Sequence, residues 1–270
     1  METAFTSDSL ATRQPVCSGT FYPSDPAQLG RMVTDFLSTA TVPGNAMPKA
    51  VIAPHAGYIY SGVVAGSAFA RFERDQESIK RIVLLGPSHH VSFEGIAVSQ
   101  AEAFRTPLGT VCVDKEAIDQ IRALPQICFL EAAHEHEHSL EVELPFLQAI
   151  LSGFSIVPLV VGVATDREIK EVIEKLWGGR ETRIVVSSDL SHYHDYETAR
   201  QIDQETARLI EEGAGDKIGS RQACGHLPIR GLLLSAGDHS LKGQTLDLRN
   251  SGDTAGPHDR VVGYGAFVFD

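Results

Sequence analysis

RIVLLGPSHH, residues 81–90, sets the reading of this chain: four consecutive aliphatic residues, a Gly-Pro turn, and two imidazoles directly behind it. An unbroken aliphatic run of this length, rather than an alternating one, fits a strand buried on both faces of a parallel sheet. The pattern recurs. VIAP runs into His55-Ala56-Gly57-Tyr58, and RIVVSS runs into Asp189-Leu190-Ser191-His192. Strands are expected at residues 49–53, 81–85, 155–161, 183–187 and 261–269, with helical spacing at 27–37, 116–124, 140–151, 166–176, 196–212 and 228–236. Their alternation predicts a layered α/β fold. Ligands of such sheets bind outside the carboxyl ends of the strands, where these three polar segments begin.

Composition bounds the function. The 270 residues carry 23 Lys+Arg against 35 Asp+Glu, a net charge of -12, so neither a nucleic acid nor an anionic membrane surface is an expected partner. Residues 82–85 and 158–163, the longest apolar runs, fall far short of the roughly 20 residues of a membrane span. The start, METAFTSDSLATRQ, has neither a basic nor an apolar stretch, so no secretory leader is expected and the cytoplasm is the expected location. No linker or repeat interrupts the sequence, which predicts one domain over 1–270 with a flexible segment at about 1–16. Cys17, Cys112, Cys128 and Cys224 form no CxxC pair and read as reduced thiols. The unusual item is histidine: 11 residues, most of them clustered.

Imidazoles at the ends of neighbouring strands suit a metal, because the scaffold holds their lone pairs toward one point. A single buried His is more often a satisfied core residue; two at equivalent strand ends, His55 and His89, reverse that preference. Cys224 in QACGHLPI is, on composition alone, a small buried hydrophobe. HEHEHSLEVELPF, residues 134–146, contains the spacing of an inverted zinc-protease motif, but Pro145 and the strict alternation suit a solvated loop equally. Glu137, His138 and Glu141 remain as groups able to move protons or orient ligands. Asp189 and His192 could do the same, although an Asp there also suits a helix cap. The sequence has no nucleophile elbow, phosphate loop or dinucleotide fingerprint.

IAPHAGYIYSG (52–62), LLGPSHHV (84–91), FRTPLG (104–109), EHSLEVELPFLQ (137–148), VPLVVG (157–162), VVSSDLSHY (185–193), ACGHLPI (223–229) and NSGDTAG (250–256) together resemble the Memo-like family, whose microbial members are called AmmeMemoRadiSam system protein B. The resemblance runs from GTFYP, residues 19–23, to the end of the chain. It implies a single α/β domain with a central mixed sheet flanked by helices, similar to class III (LigB-like) extradiol dioxygenases. It places the metal ligands on His55, His89 and Cys224, further pocket residues on Asp189 and His192, and His138 in the same cleft. Tyr58, His90, Glu137, Glu141 and Phe21 are expected around it, Phe21 standing where animal members have Trp. The dioxygenases complete their ligand set with a carboxylate, whereas here the third candidate is a thiolate, so ring cleavage is not inherited with the fold.

The resulting expectation is a metal-dependent redox enzyme, dioxygenase-like, in which one iron(II) or copper ion is bound and Asp189, His192 and His138 handle protons. Two alternatives stand beside it: an adaptor that binds a peptide or protein in a degenerate pocket, and a zinc hydrolase. The resemblance implies AMMECR1-like and radical S-adenosylmethionine proteins as partners, together with a small molecule or peptide in the pocket.

Overall fold

The computed structural model describes residues 12–40 and 47–270. Its strands are β1 (Thr12–Arg13), β2 (Ala50–Ala53), β3 (Arg81–Pro87), β4 (Ile96–Val98), β5 (Ala103–Thr106), β6 (Gly109–Val113), β7 (Ile127–Phe129), β8 (Ser155–Val161), β9 (Thr182–Ser187), β10 (His192–His194), β11 (Gly243–Asn250) and β12 (Val261–Phe269). They form one sheet in the order β1-β5-β6-β8-β3-β9-β2-β12-β10, with β11 on β12 and β4 between β7 and β8. β8, β3, β9 and β2 run parallel, and β12 is antiparallel to β2, so the sheet is mixed as expected. The aliphatic runs account for this centre: apart from Arg81 and Ser155 at their first positions, all residues of the four parallel strands are buried.

Eight α-helices flank the sheet among the described residues: α1 (Pro26–Thr39), α2 (Tyr58–Phe69), α3 (Lys115–Ile121), α4 (Glu131–Glu135), α5 (Leu144–Ile150), α6 (Asp166–Lys175), α7 (Tyr196–Glu211) and α8 (His226–Asp238). Side-chain caps define several starts. Asp25 accepts from the Gln28 amide, Thr165 and Glu168 form a reciprocal capping box, and Asp195, not Asp189, caps α7. Sequence periodicity misses α2 because nine of its twelve residues are buried and no polar stripe exists to read. A Cβ on Gly62 or Gly66 would lie within 2.3 or 2.7 Å of Phe36, so these glycines let α1 and α2 pack closely. The helix expected over 140–151 divides into a 3-10 turn, Glu141–Glu143, and α5. No helix among the described residues is long and apolar enough to cross a membrane.

The segment expected to be flexible, about 1–16, is described only from residue 12. Residues 1–11 lie outside the described residues, but Thr12 and Arg13 pair with β5, and Arg13 is buried against Glu141 at 2.6 Å. Glu141 also accepts from the amides of Val16 and Cys17 and from the Tyr22 hydroxyl, at 2.9, 2.8 and 2.6 Å. A fully buried carboxylate is tolerated because every lone pair has a donor. Glu141 therefore fastens residues 13–22 to the domain rather than facing the cleft.

A second buried carboxyl braces the segment after β9. Asp203 on α7 accepts from the Ser191 amide at 3.0 Å, and only a glycine at 263 allows this approach, since a Cβ there would sit 2.0 Å from Asp203 Oδ2. Burial lifts the Asp203 carboxyl from 3.8 to about 6.

Two outcomes follow. Glu141→Ala removes the carboxylate against buried Arg13, leaving it the His134 and Glu137 carbonyls, and should lower unfolding free energy in urea by about 3–5 kcal/mol. Asp203 binds its proton more tightly in the folded state, so its contribution is fullest below pH 3.8 and is lost as pH rises through about 6. Asp203→Asn should therefore be more stable than wild type at pH 8, by up to about 3 kcal/mol, and indistinguishable from it near pH 4 in chemical-denaturation curves.

Candidate metal centre

Three parallel neighbours, β3, β9 and β2, end on one edge of the sheet, and each places a polar residue two positions beyond its last residue: His89, Asp189 and His55. His138 reaches the same edge from the turn between α4 and the 3-10 turn, and Cys224 from the residues before α8. His55, His89, His138, Asp189, His192 and Cys224 line one cleft of about 740 Å³. That volume suits a small-molecule ligand.

The imidazoles of His55, His89 and His138 could hold a metal ion: one ring nitrogen from each lies within 4.8 Å of the others. Ring centroids are 5.1 Å apart for His55–His89, 5.3 Å for His55–His138 and 4.5 Å for His89–His138. His138 was expected to move protons; the geometry groups it with the other two rings. Burial, with the neighbouring imidazoles, holds His55 well below the ordinary histidine range, and the same causes, burial first, hold His138 at about 4. Both rings are thus neutral near pH 7, with lone pairs free.

Two of the rings are oriented from behind. The Glu137 carboxylate lies 2.8 Å from His89 Nδ1 and accepts from the His89 amide at 2.6 Å. It accepts further from the amides of His138 and Ser139, at 3.0 and 2.9 Å. Burial works against ionisation of Glu137, yet these donors outweigh it and hold the carboxyl down at about 2. A permanent acceptor at Nδ1 keeps the hydrogen there and leaves Nε2 of His89 open. His55 Nδ1 lies 2.7 Å from Ser187 Oγ, and its Nε2 lies 3.4 Å from Cys224 Sγ.

The Cys224 thiol is pushed up to about 12 by burial and by Asp189. Its sulfur accepts from the Asp189 amide at 3.3 Å, and the Cys224 amide donates to the Asp189 carbonyl at 3.2 Å. Asp189 itself accepts from the His55 amide at 2.9 Å, so it ties two strand ends together rather than capping a helix. Burial raises its carboxyl to about 6 against the opposing pull of His192. His192 Nδ1 lies 2.7 Å from the Leu190 carbonyl, which can only accept, so the hydrogen sits on Nδ1.

The remaining sequence candidates divide. Phe21 lines the cleft, its ring 4.9 Å from that of His138. His90 faces an adjoining cavity of about 390 Å³ that shares His89 and Cys224. Tyr58 turns away: it is buried, its hydroxyl donates to the Val142 carbonyl at 2.7 Å, and its ring packs on Tyr22, Phe36 and Phe146. The HEHEH segment also divides, with His134 buried against the Ala97 carbonyl, His136 exposed, and Glu137 and His138 at the site.

Sequence reading missed the rim. Tyr60, Tyr193, Tyr264 and Arg260 also line the cleft, Tyr264 buried within it and Tyr193 and Arg260 exposed at its mouth, where the Arg260 guanidinium lies 4.3 Å from the Tyr193 ring centroid. Tyr193 holds a φ of 63°, a conformation unfavourable for a bulky side chain and characteristic of functional sites. No local pattern marks these residues; Ser187, by contrast, follows an aliphatic run and was open to the same argument as Asp189.

Comparison with known proteins agrees with this architecture. A family model described as Memo-like protein matches residues 13–268. Proteins described as MEMO1 family protein from Aquifex aeolicus and Archaeoglobus fulgidus are 36% and 34% identical, over 96% and 95% of this chain and 100% and 99% of their own lengths. A third, from Nitrosopumilus maritimus, is 31% identical over 95% of this chain and 99% of its own. With the alignments covering nearly all of every partner, the chain belongs to the Memo-like protein family.

Proposed function

We propose that the cleft binds one transition-metal ion, iron(II) or copper, and that the protein is a redox enzyme acting on a small molecule or peptide. The observation that carries this reading is the convergence of three imidazoles at one sheet edge, with Cys224 beside His55. The donor set fits such an ion. Two rings are neutral, the carboxylate behind His89 fixes its tautomer, and the thiol adds a soft donor that disfavours magnesium and calcium. His55 and His89 would hold the metal, with Cys224 and His138 completing the set. A bound iron or copper ion would supply electron transfer and activation of an oxidant.

The chain's own groups supply the rest. Asp189, with its carboxyl near 6, exchanges a proton close to neutral pH, and His192 Nε2 accepts one because its hydrogen is held on Nδ1. Arg260 at the mouth favours a substrate carrying an anionic group, and the aromatic rim of Phe21, Tyr60 and Tyr193 favours a planar one. A zinc hydrolase is favoured by one specific feature, the all-imidazole cluster, since three histidines also make a zinc site.

Anoxic purification from metal-replete cells, followed by elemental analysis and optical and paramagnetic spectroscopy, separates these readings. The expected result is about one iron or copper per chain, reduced in His55→Ala and His89→Ala, with a changed spectrum in Cys224→Ser. Stoichiometric, spectroscopically silent zinc favours the hydrolase; less than stoichiometric metal in wild type and Cys224→Ser alike overturns the metal centre. Glu137→Gln places an amide N–H against one of four donors and should weaken metal affinity roughly 10–100-fold in chelator competition. An unchanged affinity would show that Glu137 does not orient the ligand.

A further inference from the structure

Glu143 does not line the cleft, yet it stands one residue behind the cluster. Its side chain is fully buried, Oε2 has no hydrogen-bond partner, and Oε1 lies 2.8 Å from Ser187 Oγ. The same hydroxyl lies 2.7 Å from His55 Nδ1 and donates to the Ser139 carbonyl at 2.6 Å. A serine hydroxyl has one hydrogen and two lone pairs. The carbonyl can only accept, so it takes the hydrogen, and both lone pairs then face Nδ1 and Oε1. Each of those atoms must bring a hydrogen of its own, or two acceptors stand unshielded against each other in a dry interior.

We propose that Glu143 is held as a neutral acid whose O–H donates to Ser187, and that this fixes Ser187 as the acceptor for His55 Nδ1–H, leaving His55 Nε2 without a hydrogen where it faces Cys224 Sγ and the cleft. All four valences around Ser187 Oγ are then used: one bond to Cβ, one hydrogen given and two received. Burial, opposed by the Ser187 contact and reinforced by the Asp189 charge, raises Glu143 well above the ordinary carboxyl range. A neutral acid also leaves Oε2 as a partnerless carbonyl oxygen, a smaller penalty than a partnerless charge. Glu143 is thus a positioning residue that acts on His55 through Ser187. Glu137 does for His89 as an ionised acceptor what the Glu143–Ser187 pair does for His55 as a neutral donor chain. The tautomer assignment stands on these contacts alone, whereas its consequence for metal affinity rests on the proposed metal centre.

Nitrogen-15 NMR of histidine-labelled, metal-free protein reads the tautomer of His55 directly. Wild type should show Nδ1–H with Nε2 unprotonated, and Glu143→Gln, whose amide N–H replaces the acid O–H, should show the same. Glu143→Leu should mix the two tautomers, as should Ser187→Ala, which removes the hydroxyl with little change of volume and carries the test if the leucine variant does not fold. In chelator competition with iron(II), Glu143→Leu and Ser187→Ala should bind roughly 10–100-fold more weakly, with Glu143→Gln within about threefold of wild type. His55 protonated on Nε2 in wild type overturns the proposal, and so does a Glu143→Gln variant as impaired as Glu143→Leu, which would assign the effect to a negative charge. If wild type binds no metal, the metal centre fails, and the NMR signature still decides the role of Glu143.

Discussion

Val185 pairs with Val51 on one side and Leu84 on the other, and this double registration of β9 is the constraint on which the cleft depends. Parallel strands that share hydrogen bonds across three neighbours cannot shift singly, because a one-residue slip would turn each buried side chain to the opposite face. Three loops of different sequence are thereby made to leave the sheet at one height. Asp189, in the middle, holds the amide of His55 and exchanges backbone contacts with Cys224, so the central strand end also positions its flanks. The site residues share one level because the strands that carry them are in register.

Between residues 137 and 143 the chain buries three carboxyl groups and uses each differently. Glu137 collects donors from the histidine cluster and the turn behind it, Glu141 collects them from the N-terminal segment, and Glu143 has a hydroxyl as its hydrogen-bond partner. Surroundings, not residue type, decide which of the three is a charge. Four bonds from His89, His138 and Ser139 keep Glu137 ionised against its burial, whereas Glu143 has too few donors to offset the same penalty.

Much of this was readable in the sequence for a physical reason: strands buried on both faces must be continuously apolar, so 51–53, 82–85 and 184–186 declared themselves, and the polar residues after them inherited a common position. The same rule hid α2, which is buried on nearly every side and shows no period. The roles of Glu141 and Tyr58 were not readable, since a carboxylate or phenol near the motif in sequence can face the cleft or the core, and only the packing of residues 13–22 decides. His138 shares its segment with His134 and His136, one buried and one exposed, and alternation alone does not say which ring turns inward. Arg260 and Tyr193 are brought to the mouth by the pairing of β10 with β12, a contact between distant parts of the chain.

The cleft is walled at one end of the chain by Phe21 and at the other by Tyr264, and its histidines and cysteine come from the stretches between. Such a site is assembled from segments far apart in sequence, and its lining is incomplete until the stretch that holds Tyr264 has joined the sheet. Loading of such a cleft with an ion belongs after chain completion, since no chain that stops short of Tyr264 holds all of its lining residues.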